Sequence, residues 1–308
     1  MGTAGYTQNN RLAYYYTLPA FFVMSLVVVY PFIYNVIISF SNMNLTHFRD
    51  WELVGLRSYW QVLTDDTMHL KLFGIPVPDF WYFFFKTVLW TALNIFFHVT
   101  IGVFLALILN KDLKGKTFFR TLLILPWAVP QYITALTWRG MFTSNYGAIS
   151  LLFEKLFGAQ LPWLTTEWGA FSACLITNIW LGFPFMMIIA LGGLQSIPDD
   201  LYEAAEIDGA SWFHKLKNIT IPLLKPVMIP AITLGVIWTF NNFNVVWLVS
   251  NGGEPSDTTH ILVSWVYKSG FTYIRMGYAA AFSMIIFAIL IIFSWNFIKR
   301  TKATEAVY

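Results

Sequence analysis

Six stretches of this chain run for at least 18 residues without Asp, Glu, Lys or Arg, and nothing else constrains its fold as strongly. They are Leu12–Phe48, Thr87–Asn110, Thr121–Trp138, Trp168–Pro198, Pro226–Gly253 and Met276–Ile298. About 18 residues of helix cross a hydrocarbon core ~30 Å thick, so each stretch can supply one transmembrane helix. Only 11% of the residues are charged, against about 25% in an ordinary globular domain, and the mean hydropathy is +0.60. So few charges cannot cover a water-soluble surface, which excludes a soluble enzyme. The expected fold is an all-α integral membrane domain over 1–308, with spans at about 14–40, 83–110, 121–142, 168–194, 227–250 and 277–299. The next-longest uncharged run, Gly140–Phe153, reads as an external or re-entrant helix.

Six spans leave both termini on one side. With the termini inside, eleven Lys/Arg face seven acids there, while eight face nine outside. Arg11, the Lys111–Arg120 turn and the Lys299–Lys302 end supply much of that excess, so the positive-inside rule predicts cytoplasmic termini in a cytoplasmic membrane. The first run greatly exceeds the 7–15 residues of a signal-peptide core, so it reads as a retained span. About eight residues at each end read as frayed. The lone cysteine, Cys174, lies in an apolar run and reads as core.

Several kinds of chemistry find no support. His47, His69, His214 and His260 show no metal-ligand spacing, and no cluster of cations suggests nucleic acid. Asn110–Thr117 ends like a phosphate loop but lacks its first glycine and joins two membrane helices, so it reads as a basic turn. Catalytic motifs are absent, and no catalytic or metal-binding residue is expected.

The cytoplasmic loop 196–226 has a definite pattern. Ser196 can cap a helix, Pro198 and Asp199 suit its first turn, and Ala204 and Ala205 favour helix. Gly209 supplies a stop. Ser211 can start a second short helix before Pro222 and Pro226 lead into span five. The result would be a helix–turn–helix knob, or else an ordinary structured loop.

Polar and aromatic residues also fall at helical spacing inside the spans. Trp127 and Gln131 are four apart; Asn178, Gly182 and Phe185 stand at i, i+4 and i+7; Phe240, Asn241 and Asn244 lie within about one turn. At about 1.5 Å per residue all three groups lie near mid-bilayer, where Pro126, Pro130 and Pro184 can open the backbone. Carboxamides both donate and accept hydrogen bonds, as sugar hydroxyls do, and aromatic faces can cover a pyranose. The uncharged runs carry no counter-group for an ionic cargo. The alternative is interhelical glue, with amides bonding between helices. For Asn94 and His98, four apart on span two, helix–helix bonding is the expected role. Gly277–Ser283 offers small residues for close helix packing against a partner.

Glu203-Ala204-Ala205, Gly209, Ile219, Ile221 and Pro222 together resemble the EAA signature of ABC importer permeases, with Ile221 in place of the usual Leu. The resemblance extends from about residue 12 to 299 and is nearest to maltose/maltodextrin permease subunits. It includes Leu123–Pro130, Asn178–Phe185, Leu194–Leu201, Asp208–Ala210, Phe240–Asn244 and Asn251–Gly253. Lacking the extra spans and large external domain of some members, the chain would be the six-helix core.

The resemblance implies an ATP-driven sugar importer in which Glu203, Ala204, Ala205, Asp208 and Gly209 dock on a cytoplasmic ATPase. It implies a second, different permease, two ATPase copies holding the ATP and Mg, and an external sugar-binding protein. No cofactor is then expected in this chain. It also implies sugar contact at Asn178, Gly182, Phe240, Asn241 and Asn244. Trp127, Gln131 and Phe185 stand where maltose permeases carry Tyr, Ser and Tyr, which points to a related oligosaccharide as readily as to maltose. Rival readings are an importer of another neutral solute or glycerol phosphate, and a secondary transporter. The latter would need intramembrane carboxylates for ion coupling.

Overall fold

The computed structural model describes residues 4–72 and 74–301. Two compact units emerge, Met1–Asp65 with Val266–Ile285, and Asp66–Trp265 with Ile286–Tyr308. Lys302 and the last residues of the expected frayed C-terminal end lie outside the described residues, as do residues 1–3. Ala4 already begins a helix.

In the first unit, α1 (Ala4–Met24) and α2 (Tyr30–Ser39) join through a π turn, Ser25–Val29. Their stretch Tyr14–Ser39 is apolar and almost wholly exposed, as suits a helix solvated by lipid. The chain then turns back: Val54 N donates to Phe40 O at 2.7 Å, and α3 (Arg57–Thr64) follows. Arg275 donates to Asp65 at 3.0 Å and lies 4.0 Å from the centre of the Tyr278 ring. In the small-residue stretch, Ala280 packs with Ile38 and Met43. A single methyl there lets the helix approach closely.

The second unit opens with a hairpin, β1 (Lys71–Leu72) on β2 (Ile75–Pro76). Next come α4 (Asp79–Leu109), α5 (Lys116–Ala128), α6 (Gln131–Phe142) and α7 (Ala148–Phe157). They are followed by α8 (Glu167–Gln195), α9 (Asp200–Ile207) and α10 (Trp212–Lys215). A π turn, Leu216–Thr220, leads into α11 (Ile221–Phe240), and α12 (Phe243–Val249) comes next. Then α13 (Leu262–Tyr267) begins in this unit, and α14 (Met276–Thr301) ends in it. α4 and α8 pack along each other and form the spine. Trp90, Asn94, His98 and Ala106 make a buried stripe on α4 at helical spacing. Two apolar clusters cover this spine, one around Trp90, Phe171 and Val246, the other around Met186, Leu191 and Leu224. Cys174 sits in the first, as expected.

Five helices among the described residues are long and apolar enough to cross a membrane: Tyr14–Ser39, Asp79–Leu109, Glu167–Gln195, Trp212–Phe240 and Met276–Phe297. The expected third span, 121–142, is not one helix. Pro130 cannot donate a backbone N–H and forces Val129 into an extended conformation (φ −78°, ψ 136°), which separates α5 from α6. Pro126 and Pro184, also expected to open the backbone, stay inside helices. Span five breaks too, at Asn241 and Asn242, and its first part runs back without interruption to Trp212. The second knob helix is therefore one end of a span rather than a separate element. The short helix expected at 140–153, external or re-entrant, forms as α7, while Gly140–Phe142 belong to α6.

Among the described residues, one charged pair lies inside the spanning helices, each member just before the start of an uncharged run. Lys86, 0% exposed, bonds Glu167 Oε1 at 2.9 Å and the Thr258 carbonyl at 2.7 Å. Tyr82 Oη donates to the same carboxylate at 2.7 Å. The Tyr82 and Trp168 rings lie 5.1 Å from the ammonium. Lys86→Met would remove the ammonium from Glu167, which is a third exposed and keeps the Tyr82 hydroxyl, so the loss should be about 1–2 kcal/mol, below that of a fully buried pair. Lys86→Met with Glu167→Gln should recover part of it. Thermal midpoints of the purified protein check the order.

Candidate functional site

Between the two apolar clusters lies a polar layer, and a cavity of about 680 Å³ opens from it. That is within the 300–1,000 Å³ usual for small-molecule sites. Both helix breaks reach it: Trp127 stands just before the α5–α6 break and Gln131 just after, while Asn241, Asn242 and Asn244 surround the α11–α12 break. The residues expected at the lining collect here, with one exception. Trp127, Gln131, Asn178, Gly182, Phe185, Asn241 and Asn244 all border the cavity.

Phe240 does not. It is 6% exposed and lines a separate apolar groove with Phe84, Val88, Ile95 and Phe293. The expectation assumed a continuous helix, but α11 ends at Phe240 and Asn241 leaves helical geometry (φ −100°, ψ 17°), so the two side chains diverge.

The amides form a continuous file. Asn178 Nδ2 donates to Asn94 Oδ1 at 2.8 Å, and Asn242 Nδ2 donates to Asn178 Oδ1 at 2.7 Å. Gln131 Nε2 donates to Asn242 Oδ1 at 3.2 Å, and Asn244 Nδ2 donates to Gln131 Oε1 at 3.1 Å. His98 Nε2 donates to the Asn178 carbonyl at 2.9 Å, so Asn94 and His98 make the helix–helix bonds expected of them. Asn178 is 3% exposed and has both amide ends engaged across helices, so at this position gluing and lining coexist. The opposite wall is aromatic: Phe185 lies 6.3 Å from Trp127 and 5.4 Å from Trp238, centre to centre. No Asp, Glu, Lys or Arg borders the cavity among the described residues.

Gly182 is required by this packing. A Cβ there would stand 2.2 Å from His98 Cε1 and 2.3 Å from Nε2, so only glycine lets the imidazole reach the Asn178 carbonyl.

Trp238, Asn242 and His98 were not anticipated as lining. Two residues from Phe240 on an unbroken helix, Asn242 would face the far side, and only the break brings it in. The paired asparagines at a helix end were the available signal.

The other expected site is the knob formed by α9 and α10. Ser196 does not cap α9. It ends α8, its Oγ donating to Gly193 O at 2.7 Å. Gly209 closes α9 in the left-handed region (φ +73°). The Ala210 N–H reaches Ala205 O at 2.9 Å and the Gly209 N–H reaches Glu206 O at 3.0 Å, the bond pair of a Schellman turn. Ser211 Oγ then accepts from His214 N at 3.3 Å to begin α10. A Lys215–Glu206 ion pair and a Tyr202–Thr220 hydroxyl contact brace the two helices. Glu203, Ala204 and Asp208 are exposed, as are the apolar Ile207 (88%), Trp212 and Phe213. Bare apolar groups bordered by acids mark a surface shaped for a protein partner.

A broken-helix cavity in a membrane domain that carries such a knob defines a transporter subunit. Residues 98–301 match the family described as "Binding-protein-dependent transport system inner membrane component". The chain belongs to that family: it is a membrane-embedded permease of the ABC importer type, a transport component rather than an enzyme. It is 39% identical over 299 residues to the galactooligosaccharides transport system permease protein GanP of Bacillus subtilis, covering 92% of this chain and 69% of that one. It is 35% identical over 293 residues to the trehalose/maltose transport system permease protein MalF of Thermococcus litoralis, covering 95% and 94%. In fold it matches a chain of a bacterial ABC transporter involved in the import of the acidic polysaccharide alginate (TM-score 0.80, 17% identity, 97% and 98% covered).

Proposed function

We propose that this permease conducts a neutral oligosaccharide of the maltodextrin or galactooligosaccharide kind through the amide–aromatic cavity. The observation that carries this reading is the lining itself: carboxamides from Gln131, Asn178, Asn241, Asn242 and Asn244 face an aromatic wall, and among the described residues no ionic side chain borders the space. The amides match hydroxyls in both donating and accepting, and the rings can cover a sugar's apolar face. A glycerol phosphate or uronate cargo would call for Arg or Lys at the cavity. The sugars named for the relatives support the same class.

The rest of the machine follows from the knob and the family. A second, different permease completes the channel, two ATPase copies dock on the knobs of the two permeases and bind ATP and Mg, and an external binding protein delivers the sugar. This chain carries no cofactor of its own. The orientation has both termini and the knob in the cytoplasm, from the excess of Lys and Arg on that side.

The test is reconstitution of the purified complex in proteoliposomes with its binding protein. Neutral maltodextrins, trehalose and galactooligosaccharides are compared with an oligouronate of equal length. ATP hydrolysis should rise several-fold with at least one neutral sugar and stay at its basal level with the uronate. Stimulation by the uronate alone would reject the neutral-sugar assignment. Recovery of this chain without a second permease or an ATPase, under detergent conditions that preserve another ABC complex, would reject the assembly.

A further inference from the structure

We propose that Asn242 is a positioning residue that latches the two broken helices together until cargo replaces part of the latch; this rests on the sugar-permease reading above. Its one carboxamide serves three partners. Oδ1 accepts from the Val245 N–H at 3.3 Å and so caps α12. The same oxygen accepts from Gln131 Nε2 at 3.2 Å, which ties in α6. Nδ2 donates to Asn178 Oδ1 at 2.7 Å, which anchors the group on α8. The outer half-helices α6 and α12 also pack on each other, so one amide holds both at the level where each parts from its inner half.

The file of bonds has two unlike ends. Toward the spine, Asn94 and Asn178 are buried and their contact is short, 2.8 Å. Toward the cavity, the Gln131–Asn242 and Asn244–Gln131 bonds are longer, 3.2 and 3.1 Å, and Asn244 is exposed. Neighbouring hydroxyls on a sugar each donate and accept. Two of them can take the places of the Gln131 amide, bond for bond, and leave the Asn94–Asn178–Asn242 anchor intact. Cargo thereby removes the amide tie between α6 and α12 while α12 stays held to α8. A ligand that only accepts hydrogen bonds cannot make that exchange, so the device selects vicinal diols.

Asn242→Ser separates this role from a merely structural one. A serine still caps the helix but is too short to bridge Asn178 and Gln131. The measurement uses the full complex with its partner subunits in proteoliposomes, with Cys174→Ala and a single reporter cysteine, Ala128→Cys, on the cavity wall. The readout is the labelling rate by an impermeant thiol reagent. Without cargo, Asn242→Ser should label about fivefold faster than its parent, on the order of the worth of one neutral hydrogen bond. The parent should speed up on adding binding protein and sugar, and the variant should respond little. Labelling of Asn242→Ser at the parental rate overturns the latch. Faster labelling of Asn242→Ser with a parent that ignores every neutral oligosaccharide overturns the sugar reading and leaves the latch standing. Should Asn242→Ser fail to assemble, Gln131→Ala removes only the exchangeable bonds, and a parental rate there overturns the proposal equally.

Discussion

Gly209→Pro abolishes ATP-driven uptake in a complex that still assembles: this is the largest effect expected of any single change in the chain. Gly209 sits at φ +73°, and proline is locked near −65°, so the turn between α9 and α10 cannot form. Alanine can enter the left-handed region at a cost of about 1–2 kcal/mol, enough to reduce a coupled equilibrium roughly tenfold, at 1.4 kcal/mol per decade. Asparagine tolerates that region better and should lose least. The expected order of uptake is therefore parent, Asn, Ala, Pro. Glu203→Lys should also uncouple, because it reverses the charge on the exposed acidic face without disturbing the turn. Uptake and ATP hydrolysis measured side by side check both. If Gly209→Pro transports normally in an assembled complex, the knob is not the coupling element.

Gly182→Ala should be nearly as damaging, for a steric reason. The added methyl would overlap His98 Cε1, Nε2 and Nδ1 at 2.2, 2.3 and 2.7 Å. The imidazole has to swing out, which breaks its bond to the Asn178 carbonyl. Overpacking costs about 1–3 kcal/mol, and a buried polar group left unpaired costs about as much again. Transport should fall at least tenfold, with a lower thermal midpoint. Adding His98→Ala makes room, so the double variant should regain stability that the single one lost. A Gly182→Ala protein as stable as its parent would show that α4 and α8 do not meet as described.

The spans were legible in the sequence because hydrocarbon tolerates so few charges that an uncharged run of 18 residues has one main explanation. Where a span breaks was not. Pro126, Pro130 and Pro184 look alike in the sequence, yet only Pro130 ends a helix. A proline removes one backbone bond, and packing against neighbouring helices decides whether the rest of the helix survives. Pro226 and Pro230 stay inside α11 for the same reason. Most of the cavity lining was legible through helical spacing. Phe240 was misplaced and Asn242 missed because that spacing fails at a break. Lys86 was missed because its partner, Glu167, lies 2.9 Å away in space and on another helix. The Gly209 turn was readable because its chemistry is entirely local.

The stretch from Trp212 to Phe240 is 29 residues of unbroken helix, about 43 Å at 1.5 Å per residue. One end carries the exposed Trp212 and Phe213 of the knob, and the other ends at the asparagines of the cavity. A single rod joins the two surfaces, so no relay of separate contacts is needed between them. Thermodynamic reciprocity then applies to its ends. Whatever free energy a docked partner contributes to shifting the cavity, an occupied cavity returns in the affinity of the knob for that partner. Occupancy of the cavity can thus be felt at the knob through the same helix by which a docked partner would act on the cavity.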